Sequence, residues 1–194
     1  MRGRDATTAP EGFRYRADFL TPDEERELVE HVAALPFHEV RMHGVVARRT
    51  VIHFGYDYDY SGWKITPTDA PPPFLRFVIE RAAAEAGVAA ERLAQFLIAR
   101  YPPGASIGWH RDAPMFGVPV IGVSLLGACR MRFRRKQGNG WESFEQRLEP
   151  RSLYILDGAA RTQWQHHIPP AKELRYSISM RTLRRMQQVG KSDA

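Results

Sequence analysis

Val118-Pro-Val-Ile-Gly-Val-Ser-Leu-Leu126, then Gly127-Ala128, then Cys129-Arg-Met-Arg-Phe-Arg-Arg135 reads as two short strands separated by a small-residue turn. In the second, Arg130, Arg132 and Arg134 alternate with Met131 and Phe133, so one face is basic and the other apolar. The same rhythm continues on both sides, in Phe96 to Tyr101, Phe144 to Leu148, Ser152 to Leu156, Trp164 to Ile168 and Arg175 to Leu183. About seven strands spaced roughly 8 to 12 residues apart, with no helical pattern between them, favour a sandwich or jelly roll over a parallel sheet.

Upstream the period changes. Phe13 to Phe19 alternates like a half-buried strand, and Thr21, Pro22 and Glu24 then supply an N-cap, a proline at the first helical position and a capping-box acid. The helix they open runs to about Leu35, with Leu28, Val32 and Leu35 toward the core. A second helix reads from about Pro73 to Ala86 on the stripe Leu75, Val78, Ile79, Ala82 and Ala86, and Gly87 stops it. Helices followed by strands make the fold class α+β. One domain is expected over 13–186, between flexible tails at 1–12 and 187–194.

With 194 residues, of which 43% are hydrophobic, the chain is the size of one core-bearing domain, which excludes a disordered protein. It has no apolar run of eighteen residues, and its first ten residues form no secretory signal, so the expectation is a cytoplasmic protein without a membrane span. The oligomeric state is left open, with a monomer as the working expectation. Cys129, the single cysteine, reads as core. The 28 basic residues, 24 of them Arg, exceed the 22 acidic ones and give a net charge of +6, which nominates a polyanionic partner; an Arg excess without function is the plainer alternative.

Three stretches carry chemistry. His110-Arg-Asp112 aims a histidine and a carboxylate to one face of an extended strand; alone, such a pair is as readily a surface salt bridge. Gln163-Trp-Gln-His166-His167-Ile168 lies 56 residues on and makes a third ligand available. Two histidines and one carboxylate on a β scaffold match the facial triad that holds Fe(II) with open positions, whereas structural zinc more often uses cysteines, of which this chain has only one. Arg175 and Arg181, six apart on one strand, share a face, and two guanidinium forks beside iron suit a dicarboxylate such as 2-oxoglutarate.

These residues resemble the AlkB family of Fe(II)/2-oxoglutarate dioxygenases. Leu97-Ile-Ala-Arg-Tyr101-Pro-Pro-Gly104 leading into His110-Arg-Asp112, then His166, then Arg175-Tyr-Ser-Ile-Ser-Met-Arg181 stand in the family's order and close to its spacing. The resemblance spans most of the chain. It implies a double-stranded β-helix (jelly roll) with the N-terminal helices packed on one sheet. It further implies His110, Asp112 and His166 as iron ligands, with His166 taken over His167 because the family usually has a small residue at the latter position. Tyr101, Arg175 and Arg181 would surround 2-oxoglutarate, with Arg175 on the distal carboxylate and Arg181 near the metal-chelating end. Ala99 stands where the family often has an Asn, and Ala113-Pro-Met-Phe116 lacks the acidic residues that several repair members use to read the base.

Arg48-Arg49-Thr-Val-Ile-His-Phe54-Gly-Tyr-Asp-Tyr58-Asp-Tyr60-Ser-Gly-Trp63 is similar to the nucleotide-recognition lid of the repair members, placing a lid at about 48–66. Aromatic faces stack on bases while Arg neutralises phosphate. An aromatic strand pair packed on the core is the alternative. Arg49, Phe54, Tyr58, Tyr60 and Trp63 are therefore candidate substrate contacts. Met131 joins them beside the pocket, with Arg132 and Arg134 toward a phosphate backbone; a solvated sheet face is the other reading of those arginines. His31, His38, His43 and His53 read as surface or packing residues.

The expected function is Fe(II)/2-oxoglutarate-dependent oxidative demethylation of N-alkylated bases in nucleic acid, DNA or RNA, with O2 as co-substrate. The rivals are a dioxygenase acting on a protein side chain or small molecule, and a non-enzymatic nucleic-acid-binding module that keeps the fold.

Overall fold

The computed structural model describes residues 8–42, 45–59 and 64–184. Its elements in chain order are β1 (Phe13–Arg16), α1 (Pro22–Ala33), β2 (His38–Met42), β3 (Val45–Phe54), β4 (Tyr56–Asp59), β5 (Lys64–Pro67), α2 (Arg76–Ala86), β6 (Leu93–Tyr101), β7 (Ile107–His110), β8 (Phe116–Leu126), β9 (Cys129–Gln137), β10 (Gly140–Leu148), β11 (Leu153–Leu156), α3 (Gly158–Thr162), β12 (Gln165–Ile168) and β13 (Arg175–Leu183). Seven strands form a large sheet in the order β1-β11-β8-β13-β6-β3-β2. Four form a small sheet in the order β10-β9-β12-β7, and β4 pairs with β5. Among the described residues every strand pairing is antiparallel.

The start of α1 and the end of α2 follow from their residues. The Thr21 hydroxyl accepts from Glu24 N at 3.2 Å, and the Glu24 carboxylate accepts from Thr21 N at 2.9 Å, closing a capping box. Gly87 ends α2 with φ of 72°, a left-handed conformation that costs glycine nothing. Pro73–Leu75, expected as the first turn of that helix, is a separate 3-10 turn. Arg81 of α2 donates to both Glu24 carboxylate oxygens and to the Phe19 carbonyl, tying the helices together.

Strand alternation then builds two layers of core. On β6, β8 and β13 the side chains of Phe96, Ile98, Ile121, Val123, Ile178 and Met180 meet α1 and α2 through Leu28, Val32, Val78 and Ala82. The alternate residues face the small sheet, where Met131, Phe133, Leu148 and Ile168 pack on Val120, Tyr154 and Leu156. The helices thus cover one face of the large sheet, the small sheet covers the other, and the gap between the sheets is available for a site.

More strands form than the eight expected: β2, β3, β4, β5 and β7 are additional. Residues 48–54, the start of the expected lid, belong to β3, which pairs with β6 inside the large sheet. Among the described residues of that lid, the β4–β5 pair stands apart as a two-stranded sheet. Cys129 is buried, as expected, and burial pushes its thiol pKa up.

Gly122 of β8 lies opposite Tyr154, whose ring occupies the place of a side chain there; a Cβ at Gly122 would stand 2.2 Å from that ring. Such glycine–aromatic pairing leaves no slack. Gly122→Ala is expected to cost about 1 to 3 kcal/mol, the range of an overpacked core, read as a fall in the urea midpoint. A loss below about 0.5 kcal/mol would mean that the ring moves aside freely.

Candidate metal and co-substrate site

The same alternation aims Arg175, Ser177, Ser179 and Arg181 of β13 into the gap between the sheets, beside Leu97, Ala99 and Tyr101 of β6. From the small sheet, β12 places His166 directly across from His110 of β7. Their rings lie 4.2 Å apart between centroids. Asp112 follows β7 by two residues, with its Oδ2 3.8 Å from His166 Nε2. Asp112 and His166 are both buried to within a tenth of full burial, and both line this cavity together with His110.

The donor chemistry fits a divalent iron. His110 Nδ1 lies 2.8 Å from the Gly108 carbonyl, which can only accept, so that nitrogen carries the proton and Nε2 keeps a free lone pair. Burial pushes both imidazoles below their ordinary value, His166 to about 3, and so holds them in the neutral form that ligates metal. The trio converges without closing. Among the described residues no three His, Cys, Asp or Glu side chains meet at metal-holding geometry. Asp112 Oδ1 lies closer to Arg181 Nε, at 2.6 Å, than Oδ2 does to His166.

Burial alone would raise the Asp112 pKa, but the Arg181 guanidinium beside it overrides burial and holds the carboxyl well below the usual range. Arg181 also donates from Nη1 to Gln95 Oε1 at 2.8 Å. Arg175 is placed differently. It is 2% exposed, donates from Nη2 to Ser124 Oγ at 3.2 Å and lies 4.9 Å from the Tyr101 ring centre. Its Nε is buried with no hydrogen-bond partner, and among the described residues no carboxylate pairs with it. A buried cation with an unspent donor, lining a cavity, is built to receive an anion.

The family model of the 2OG-Fe(II) oxygenase superfamily matches residues 12–186. The chain belongs to this superfamily. Its relatives include the Alkylated DNA repair protein ALKBH8 homolog of Arabidopsis thaliana, 29% identical over 179 residues, covering 80% of this chain and 50% of the relative. Another is the Alpha-ketoglutarate-dependent dioxygenase alkB homolog 3 of Bos taurus, 33% identical over 91 residues, covering 40% of this chain and 32% of the relative. The chain therefore spans half the length or less of these two relatives. The structure of OsALKBH1 superposes with a TM-score of 0.68 over 90% of this chain and 98% of that one, at 15% identity. A Pseudomonas putida prolyl-4-hydroxylase superposes with a TM-score of 0.59 over 89% and 93%, at 18% identity. These likenesses show the double-stranded β-helix fold and an AlkB-like member of the superfamily.

The remaining residues expected at this superfamily site divide. Arg49 and Met131 line the cavity with Tyr101. Phe54 does not: it packs against the helices with Phe96, because β3 alternates and Phe54 has the opposite parity to Arg49. Arg132 and Arg134 stand on the outer face of the small sheet, away from the cavity. Arg132 Nε is paired with Glu145 at 2.8 Å, with the side chain still half exposed. His167 also turns outward, placing its Nδ1 2.6 Å from the Ile107 carbonyl. Tyr58 belongs to β4, but its side chain, like Tyr60 and Trp63, lies outside the described residues.

Several contributors escaped the sequence reading. Arg161, on the five-residue α3, is 6% exposed and donates from Nη2 to the carbonyls of Ala113 and Phe116 at 3.0 and 2.9 Å, clamping the loop that carries Asp112. Gln95, Ser124, Ser177 and Tyr154 are polar groups within strands, where only the alternation that places Arg175 and Arg181 could have flagged them.

The Arg181–Asp112 pair makes a stability prediction. Arg181→Met leaves a buried carboxylate uncompensated and is expected to cost about 3 to 5 kcal/mol at neutral pH. In the wild type, Asp112 is more acidic folded than unfolded, so its contribution is present above the unfolded pKa and is lost as pH falls below it. In the variant, burial raises the folded pKa, so the sign reverses and protonation relieves the penalty. Urea denaturation of chelator-treated protein at pH 7 and pH 4 should show the deficit shrinking at the lower pH; a constant deficit would mean that Asp112 is not its source.

Proposed function

We propose that this chain oxidatively demethylates N-alkylated bases in nucleic acid, with Fe(II) held by His110, Asp112 and His166 and with 2-oxoglutarate held by Tyr101, Arg175 and Arg181. The observation that carries the reading is the cavity between the sheets, where two neutral imidazoles, an ionised carboxylate and the unspent donor of Arg175 converge. The repair function in the name of the Arabidopsis relative supports nucleic acid as the substrate class.

Bound iron supplies the activation of O2 that couples decarboxylation of 2-oxoglutarate to oxidation of the substrate methyl group. One oxygen atom ends in succinate and the other on the methyl carbon, whose bond to nitrogen then breaks to release formaldehyde alongside CO2 and the restored base. This chain's residues hold and orient. Arg175 receives the distal carboxylate in a two-pronged contact, braced by Ser124 and flanked by the Tyr101 ring. Arg181 keeps Asp112 ionised and fixes its Oδ1, while the Gly108 carbonyl fixes the His110 ring. Ser177, in register with Ala99, puts a hydroxyl beside the place where the resemblance to the AlkB family leads to an expected Asn. Arg49, 6% exposed on β3, offers a cation to the substrate.

A succinate-release assay with iron, 2-oxoglutarate and a panel of methylated oligonucleotides tests the reading. Formaldehyde should appear in step with succinate. Release stimulated only by peptides or small molecules would assign the pocket to that substrate class instead. His110→Ala, Asp112→Ala or His166→Ala should abolish turnover and iron binding, whereas His167→Ala should keep iron. Arg175→Lys, which replaces a planar fork with a point donor, should raise the 2-oxoglutarate requirement about tenfold or more. An unchanged titration would place the co-substrate elsewhere.

A further inference from the structure

The outer face of the small sheet carries a row of side chains that touches the cavity through Trp109. Arg130 and Arg132 of β9 share one carboxylate, that of Glu145 on β10, at 2.9 and 2.8 Å, and their side chains remain 61% and 48% exposed. Beside them the Arg134 guanidinium is shared by two indoles, lying 4.3 Å from the ring centres of both Trp109 and Trp141. Arg134 Nε donates to Gln165 Oε1 at 2.8 Å, which fixes the guanidinium where the rings meet it. Trp141 is 48% exposed, so part of its ring is open to solvent. Trp109 in turn lines the cavity and stands 5.1 Å from the His167 ring. The row thus runs from the β9–β10 hairpin to the rim of the site, with three arginines set against one glutamate.

We propose that this face is a second nucleic-acid contact: a single strand flanking the target nucleotide crosses it, stacking a base on the exposed ring of Trp141 and laying phosphates against Arg130 and Arg132. The proposal rests on the nucleic-acid reading above and names the form of the substrate. Stacking on an indole needs an open base face, which a single strand offers and a duplex hides. The surplus positive charge matches a phosphate backbone, and Arg134 with Gln165 holds the aromatic pair in place before any strand arrives, so little ordering remains to oppose binding. An acidic peptide would use the arginines and leave Trp141 idle.

The test is fluorescence anisotropy with an unmethylated, labelled single-stranded 12-mer, in wild type, Trp141→Ala, Trp141→Phe and Arg49→Ala, from low to high salt. Trp141→Ala should weaken binding by about 5- to 150-fold, the loss of one stacked base, and Trp141→Phe should recover most of it. Succinate release in the absence of nucleic acid should not change in either variant. Arg130→Ala and Arg132→Ala should each flatten the log–log salt dependence by about 0.7, one phosphate contact on a single strand. Binding by Trp141→Ala equal to wild type, with Arg49→Ala weakened, would remove this face from the path while leaving the nucleic-acid reading intact. Displacement of the 12-mer by polyglutamate at equal charge, indifferent to Trp141, would reduce the face to a charge patch and overturn the proposal. No binding by wild type at low salt would end both readings.

Discussion

A buried carboxylate is tolerated only beside a cation, and in this protein that requirement locks the two sheets together. Asp112 sits two residues past the end of a small-sheet strand and Arg181 on the central strand of the large sheet, and their contact at 2.6 Å is made where both are almost fully buried. Neither residue is comfortable alone. The pairing constrains how far the small sheet can slide over β13, and so sets where the two histidines across from each other on β7 and β12 stand relative to Arg175. Arg161 reinforces it from the other side by holding the loop after Asp112 to the start of β8.

The large sheet makes this possible because β13 is paired along its length on both edges, with β6 and with β8. From Arg175 to Arg181 its odd-numbered residues are polar and face the cavity, while the even-numbered Tyr176, Ile178 and Met180 are apolar and face the helices. One strand therefore supplies the centre of the hydrophobic core and the floor of the site. A shift of one residue in either pairing would exchange the two sets, burying guanidinium against helix and leaving Ile178 in the cavity. The register is consequently over-determined, by apolar burial on one side and by charge pairing on the other.

That over-determination explains what could be read from the chain. Arg175 to Arg181 alternates so strictly that its face was evident, and His110 and Asp112, two apart, could be placed together without knowing the fold. Phe54 was misread because its orientation depends on which residue of β6 opposes β3, and aromatic composition says nothing about parity. The Arg132–Glu145 ion pair left no trace in the sequence, because Glu145 lies across a hairpin whose register no local pattern announces. Arg161 gave no signal at all, since a five-residue helix has no period to detect. Local alternation is legible; pairing between distant strands is not.

Cys129 begins β9 on the face turned toward the large sheet, and its burial both shields the sulfur and disfavours the thiolate. Thiol-directed reagents act on thiolate that they can reach. The native chain accordingly offers such reagents no ready target, and a cysteine introduced on an exposed strand position would be its one reactive handle. Distances between the β4–β5 hairpin and the small sheet can then be followed with attached probes while the native sulfur stays in the core.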